Sequence, residues 1–296
     1  MSSFPSPWAA SYSPETSLDA IHCIFVDVQA TGASPRSGSL LEVSCSLWHP
    51  SLNGRETFQE SISGFSSLVT LPPGHKIPRR VTKLTGLKHS ALKSAPLPEE
   101  VAARLWTLMI GIKLDIDQGV PWVWVAHVAR YERSFMRALC LAHPPRELNV
   151  SDAERLFDDL PWICTHAVSV RLYPALPRRT LSAMNGFFGG ELLRYKRSGP
   201  HMKATQLIWS ALFVQLLTDH CSTWGELGLW VLKPAKRPKF KPPISASKRL
   251  DTPSLPGVYR FLDDQSRVIY VGMARNLHQR VNQHFRGQKG HDEHHL

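Results

Sequence analysis

Three groups of residues have types and spacing suited to chemistry on a charged substrate. Tyr259 and Tyr270 stand in two short apolar runs near the C-terminal end, and a basic stretch carrying Arg275, His278, Arg280 and His284 follows them. Arg280 and His284 lie one helical turn apart, so a helix there presents both to one side. A guanidinium is a planar, permanently charged fork suited to phosphate oxygens, and phenols and imidazoles carry protons. The second group is scattered: Asp27, Glu132 and His201 each fall at the end of an expected element. Carboxylate oxygens are what hard divalent cations require, and histidine serves as a base. Taken singly, Asp27 could simply end a strand and His201 could cap a helix. The third group is a run of lysines and arginines from Lys233 to Arg249, including Lys236, Arg237, Lys239 and Lys241, with no acid among them. Such a run can track a phosphate backbone or act as a solvated tether.

The elements that must hold these residues are legible in the pattern. Residues 257–262 and 267–271 flank the turn-forming Asp263-Asp264-Gln265-Ser266, a hairpin signal. Gly272 is expected to break the second strand. A helix is expected over 274–285, with Leu277, Val281 and Phe285 on its apolar face. Upstream, residues 21–28 form a near-continuous apolar run, as a central buried strand should. Further strands are expected over 40–48, 57–62, 122–126 and 162–165. Helices are expected over 98–110, 131–140, 180–188 and 203–217, the third ending at Gly189-Gly190. Trp122, Trp124 and Trp209 read as core. Prolines recur through residues 232–256 and favour an extended, semi-rigid spacer. Four segments result: a disordered 1–19, a large domain over 20–228, a basic Pro-rich linker over 229–253, and a small module over 254–296.

The C-terminal hairpin, glycine and basic helix resemble a GIY-YIG nuclease module, its signature reading Gly257-Val258-Tyr259 and Tyr270-Val271-Gly272. The run from Tyr270 to Val281 is most similar to the UvrC/Cho group of excision-repair endonucleases. The resemblance implies that Tyr259, Tyr270, Arg280 and His284 are catalytic, Arg280 stabilising the phosphate being cut, and that Arg275 contacts DNA. Met273 replaces a lysine usual in that group. The family's metal-binding glutamate lies on a later helix, so the module reads as truncated. The terminal Asp292, Glu293 and neighbouring histidines are expected to fray.

Residues 20–220 resemble the DnaQ-like exonucleases, whose fold is ribonuclease H-like. Asp27 in Phe25-Val-Asp-Val-Gln-Ala-Thr-Gly32, Glu132 after the strand at 122–126, and His201 stand in the order of that family's three motifs. Leu84-Thr-Gly-Leu87 and Ile163-Cys-Thr165 match intervening segments. The expected fold class is therefore α/β: a ribonuclease H-like mixed five-stranded sheet with flanking helices, plus a small α/β GIY-YIG domain. The resemblance implies two divalent ions, Mg²⁺ or Mn²⁺, held by Asp-x-Glu, a later aspartate, and an aspartate five residues after the histidine that deprotonates water. Here the pattern is eroded. Asp27 and Glu132 remain as metal ligands, whereas Gln29 and Gln206 stand at positions of acids. A neutral carbonyl compensates a hard dication poorly, so the exonuclease centre is expected to be impaired. Fusion of the two domains resembles a known group of bacterial proteins.

Composition narrows the function classes without choosing among them. The formal net charge is +11 and the pI about 9.6, the footprint of a polyanion binder, here DNA. No apolar run is long enough to span a membrane, and residues 1–15 lack the charged start and apolar core of a secretory signal. Five cysteines without C-x-x-C spacing read as reduced thiols of a cytoplasmic protein. Two readings stay open: a repair nuclease that cuts with the GIY-YIG residues while the exonuclease-like domain positions DNA, and a DNA-binding module in which both centres are inert.

Overall fold

The computed structural model describes residues 12–48, 64–233 (apart from 175, 177, 192 and 195) and 246–285 (apart from 263, 264 and 267). The chain divides into two compact units, Met1–Lys236 and Arg237–Leu296.

The first unit is organised by β1 (His22–Ala30), buried along nearly its whole length as its apolar run requires. It pairs antiparallel with β2 (Leu40–Trp48), which pairs antiparallel with β3 (Gly64–Leu68). On its other side β1 runs parallel to β4 (Trp122–Ala126), and β4 parallel to β5 (Trp162–Cys164). The mixed five-stranded sheet has the order β3-β2-β1-β4-β5. The third strand expected over 57–62 lies outside the described residues.

Successive residues of a strand point to opposite faces, and the two faces of β1 have different company. Ile24, Val26 and Val28 pack with β2, β4, α3 (Pro98–Asp117) and α4 (Ala129–Ala142). Cys23 and Phe25 point the other way, into a layer with Ile208, Leu212 and Leu216 of α8 (Ser198–Thr218) and Leu227 of α9 (Trp224–Leu232). Asp27 and Gln29 continue that second face. The register places Ser46, Ser44 and Glu42 of β2 opposite Phe25, Asp27 and Gln29. Beneath the start of α8 the sheet face thus turns from apolar to polar, and this transition builds the centre described below.

Short helices surround the sheet: α1 (Arg79–Thr85) and α2 (His89–Leu92) between β3 and α3, then α5 (Val150–Asp158), α6 (Thr165–Leu172) and α7 (Leu181–Phe187). Gly86 closes α1 in the left-handed region, φ 71°, a conformation that lacks steric cost only for glycine. Helix α8 starts five residues before the expected position 203. Pro200 falls in its first turn, where a missing N–H costs nothing.

The expectation that residues 1–19 are disordered fails for their described part. Tyr12 donates its hydroxyl to the Trp122 carbonyl at 2.5 Å, Leu18 is buried, and Ser17 forms a bridge with Thr223. The segment satisfies backbone groups at the start of α9, so it cannot be shed without exposing them. Helix α9 also extends the first unit into the expected linker.

The second unit contains α10 (Ala246–Leu250), an antiparallel hairpin of β6 (Gly257–Leu262) and β7 (Val268–Ala274), and α11 (Leu277–Phe285). Gly272 does not end the second strand as expected. It pairs with Tyr259, and a Cβ there would sit 2.4 Å from Tyr259 Cζ. The glycine leaves room for the tyrosine ring across the hairpin. A Cβ on Gly257 would likewise meet Leu277 of α11 at 2.8 Å. Asn276, not Ala274, opens the helix, its side chain accepting from Gln279 N–H at 2.9 Å.

Candidate functional site

Asp27, Gln29 and His201 meet where α8 crosses β1. Gln29 Nε2 donates to Asp27 Oδ2 at 2.6 Å and lies 3.5 Å from His201 Nδ1. His201 Nδ1 stands 3.6 Å from Asp27 Oδ1, beyond hydrogen-bond length. The opposite amide orientation would put the Gln29 oxygen against a carboxylate oxygen, so the network fixes the assignment. Glu132, in the first turn of α4, is 4 % exposed, and its Oε2 has no hydrogen-bond partner. Burial raises the Asp27 carboxyl, with His201 and Gln29 pulling it down and Glu42 pushing it up. Burial holds Glu132 well above the usual carboxylate range, and the charge of Asp27 adds to that.

Of the expected site residues, Gln206 is the one this centre does not gather. Its Nε2 donates to Ser46 Oγ at 3.1 Å, bound to β2 beside Phe25 rather than Asp27. Three residues escaped the sequence reading: Glu42, its partner Arg197, and His127. Glu42 accepts from both Nε and Nη2 of Arg197 (2.6–3.1 Å) and from Ser198 N–H at 2.9 Å. Its charge is committed there to Arg197 and to the start of α8. The signal was an acid as the one charged residue of β2. His127, buried at the end of β4, bonds Thr165 Oγ1 and the Arg179 carbonyl, and burial drives its imidazole down to about 3. It is a neutral structural link.

The donor set fits one hard cation better than two. Asp27 and the unpartnered Glu132 oxygen are anionic ligands of the right kind. Gln29 presents its NH₂ group to Asp27, and Gln206 faces Ser46. Among the described residues no group of three or more His, Cys, Asp or Glu side chains is arranged to hold a metal ion.

The second unit gathers its expected residues. Tyr259 Oη and His284 Nε2 are hydrogen-bonded at 2.6 Å. Tyr259, Phe261, Tyr270 and His284 form one ring cluster, every centroid pair lying within 5.2–5.8 Å. Burial and Tyr270 raise the Tyr259 phenol while Arg280 opposes them. Arg280 is exposed, with Nη1 3.3 Å from Gln283 Oε1. Arg275 is exposed on the strand-to-helix turn. Lys233 is exposed, its carbonyl accepting from Arg171. Lys236, Arg237, Lys239 and Lys241 lie outside the described residues, as do Asp292 and Glu293.

Comparison with known proteins accounts for both halves. Residues 255–295 match the UvrC-like GIY-YIG domain. The UvrABC system protein C of Kocuria rhizophila is 60% identical over 37 residues, 12% of this chain and 5% of that protein. An inferred bifunctional exonuclease/endonuclease of Mycobacterium tuberculosis is 25% identical over 230 residues, 75% of this chain and 31% of its own length. The crystal structure of E. coli Exonuclease I with a dT13 oligonucleotide covers 67% of this chain and 43% of that one, with a TM-score of 0.50 at 14% identity. The first unit has the fold of such exonucleases, and residues 255–295 are similar to the UvrC-type GIY-YIG module. The chain spans less than a third of the length of these curated relatives. Among the described residues no helix is long and apolar enough to cross a membrane, and the five cysteines are free thiols.

Proposed function

We propose that the chain is a DNA-processing protein of nuclease descent that cuts phosphodiesters with its GIY-YIG residues, its exonuclease-like unit holding DNA rather than digesting it. The hydrogen bond between Tyr259 and His284 carries this reading. It gives the phenol a proton acceptor, so Tyr259 can take a proton from an attacking water while passing its own to His284. Arg280 offers charge to the phosphate as negative charge builds on it. In the exonuclease-like centre Asp27 is occupied by Gln29. One Mg²⁺ or Mn²⁺ would be held by Asp27 and Glu132, where it would supply charge to neutralise phosphate. The UvrC relatives support a place in DNA repair, and the free thiols support a cytoplasmic setting.

The Gln29–Asp27 bond also favours a second reading, a DNA-binding module inert at both centres. Full-length protein incubated with end-labelled single-stranded, duplex and nicked DNA, with Mg²⁺ or Mn²⁺, separates the two. Internal cuts without a ladder from the 3′ end are expected. Binding without cutting would establish the second reading. A 3′ ladder abolished by Asp27→Ala would overturn the assignment of the first unit.

A further inference from the structure

We propose that Glu42 is a positioning residue: its carboxylate, held by Arg197, docks the first turn of α8 onto β2 and thereby sets where His201 stands. The need is visible at the helix start. The first N–H groups of a helix have no partner inside it. Arg197, the residue preceding α8, provides no side-chain cap, and the first turn contains no acid. Glu42 supplies the missing acceptor from a strand far away in sequence, receiving Ser198 N–H at 2.9 Å. A carboxylate at a helix N-terminus is favoured by the helix dipole as well.

Arg197 makes the arrangement specific. Its guanidinium meets both Glu42 oxygens, with Nη2–Oε1 at 2.6 Å, so the carboxylate has one orientation. Glu42 is 3 % exposed, and without Arg197 it would be a buried charge without compensation. A second tether runs alongside: Ser198 Oγ bonds Ser44 Oγ at 2.7 Å, and Ser44 bonds Ser66 across to β3. His201 is one turn further on, its N–H bonded to the Arg197 carbonyl at 3.1 Å. The register closes the geometry, since Glu42 pairs with Gln29 and Ser44 with Asp27 on the same face. Anchoring residues 197 and 198 on β2 therefore leaves His201 facing Asp27.

Cleavage is not the readout, so failure here is distinguishable from failure of the proposed function. Full-length protein would be treated with diethylpyrocarbonate, and modification of each histidine followed by peptide mass spectrometry. Glu42→Gln should raise the rate at His201 about tenfold, the change in a local opening equilibrium equivalent to about 1.4 kcal/mol. His127, tied to Thr165 and Arg179, should keep its rate. Arg197→Lys retains the charge but loses the fork, so a smaller rise is expected; it stands in should Glu42→Gln fail to fold. Leu227→Ala, a cavity in the layer under α9, lowers overall stability and should leave His201 unchanged. A wild-type rate at His201 in folded Glu42→Gln or Arg197→Lys would overturn the proposal. So would an equal rise in Leu227→Ala.

Discussion

The two units keep family residues in opposite surroundings. In the first, Asp27, Glu132 and His201 are each less than a tenth exposed, and the nearest polar groups come from the protein itself. In the second, Tyr259 and His284 are half-buried, and Arg280 reaches solvent. Burial makes a charged centre intolerant of partial loss. An acid at 29 would stand beside Asp27 and need a cation, whereas glutamine neutralises the spot and donates to Asp27. An exposed cluster is not under that pressure, because water solvates whatever its partners do not. The fold of the first unit meanwhile rests on apolar layers that do not involve the centre. Its chemistry can therefore decay while the architecture remains.

The largest expected effect tests the exposed side of this contrast. If the GIY-YIG residues cut, Arg280→Ala should lower the rate by about 100-fold or more, the usual consequence of removing one group that stabilises transition-state charge. Tyr259→Phe should be comparably damaging, because the phenol loses the proton it shares with His284. Cutting rates on a nicked duplex measure both. Undiminished cutting in Arg280→Ala would place the activity outside this cluster.

The buried side predicts a coupling between metal and stability. Gln29→Glu replaces a 2.6 Å donor contact to Asp27 with a second carboxylate. Without divalent ions at pH 8 this variant should melt below wild type, and Mn²⁺ should recover the loss. Saturation to about 100 times Kd returns roughly 2.7 kcal/mol. Adding Gln206→Asp should contribute little unless Ser46 releases that side chain. A variant whose melting temperature ignores Mn²⁺ would show a pocket decayed beyond position 29.

The sheet and the GIY-YIG hairpin were legible because each depends on repeated local signals. The run around Phe25 and Val26 has the near-continuous apolar character of a central buried strand, and Tyr259 with Gly272 marked a hairpin in register. What escaped depends on pairings that no local pattern contains. Glu42 finds Ser198 and Arg197 across the fold. Gln206 finds Ser46 on β2, a partner 160 residues away in sequence. Tyr12 docks on Trp122 from a segment whose Ser and Pro content reads as loose. Element type follows from periodicity, whereas a polar centre follows from which side chains meet.

A smaller effect concerns pH. Burial and Asp27 raise the folded-state value of Glu132 above the ordinary 4.5. The folded protein then binds the proton more tightly than the unfolded chain does. This residue's contribution is most favourable at low pH and declines as pH rises from about 4.5 toward the raised value. Glu132→Gln removes the ionisation, so it should stabilise the protein at pH 8 by about 1 kcal/mol or more and change little at pH 4. Chemical denaturation at the two pH values measures the difference. Equal effects at both would mean that Glu132 carries no strained charge.

The smallest expected effect asks which unit holds the nucleic acid. Helix α1 exposes Arg79, Arg80 and Lys83 with no acid in its first turn. Lys196, whose N–H bonds the Leu84 carbonyl, brings a further cation beside it. Burial first, then the like charge of Arg80, lowers the Lys196 ammonium, while Asp27 pulls it back up. A basic strip thus borders the Asp27 centre, and the sequence carries a second basic run with Lys236, Arg237, Lys239 and Lys241. Each cation that displaces counterions from a single strand adds about 0.7 to the slope of log affinity against log salt. Neutralising Arg79, Arg80 and Lys83 together should therefore flatten that slope by about 2 if all three meet phosphates. Neutralising the linker quartet should flatten it by about 3 on the same terms. Fluorescence anisotropy with a labelled single strand from low to moderate salt reads both slopes. If only the linker substitutions act, the exonuclease-like unit is a scaffold rather than a DNA holder, and the contrast between the units becomes one of use as well as chemistry.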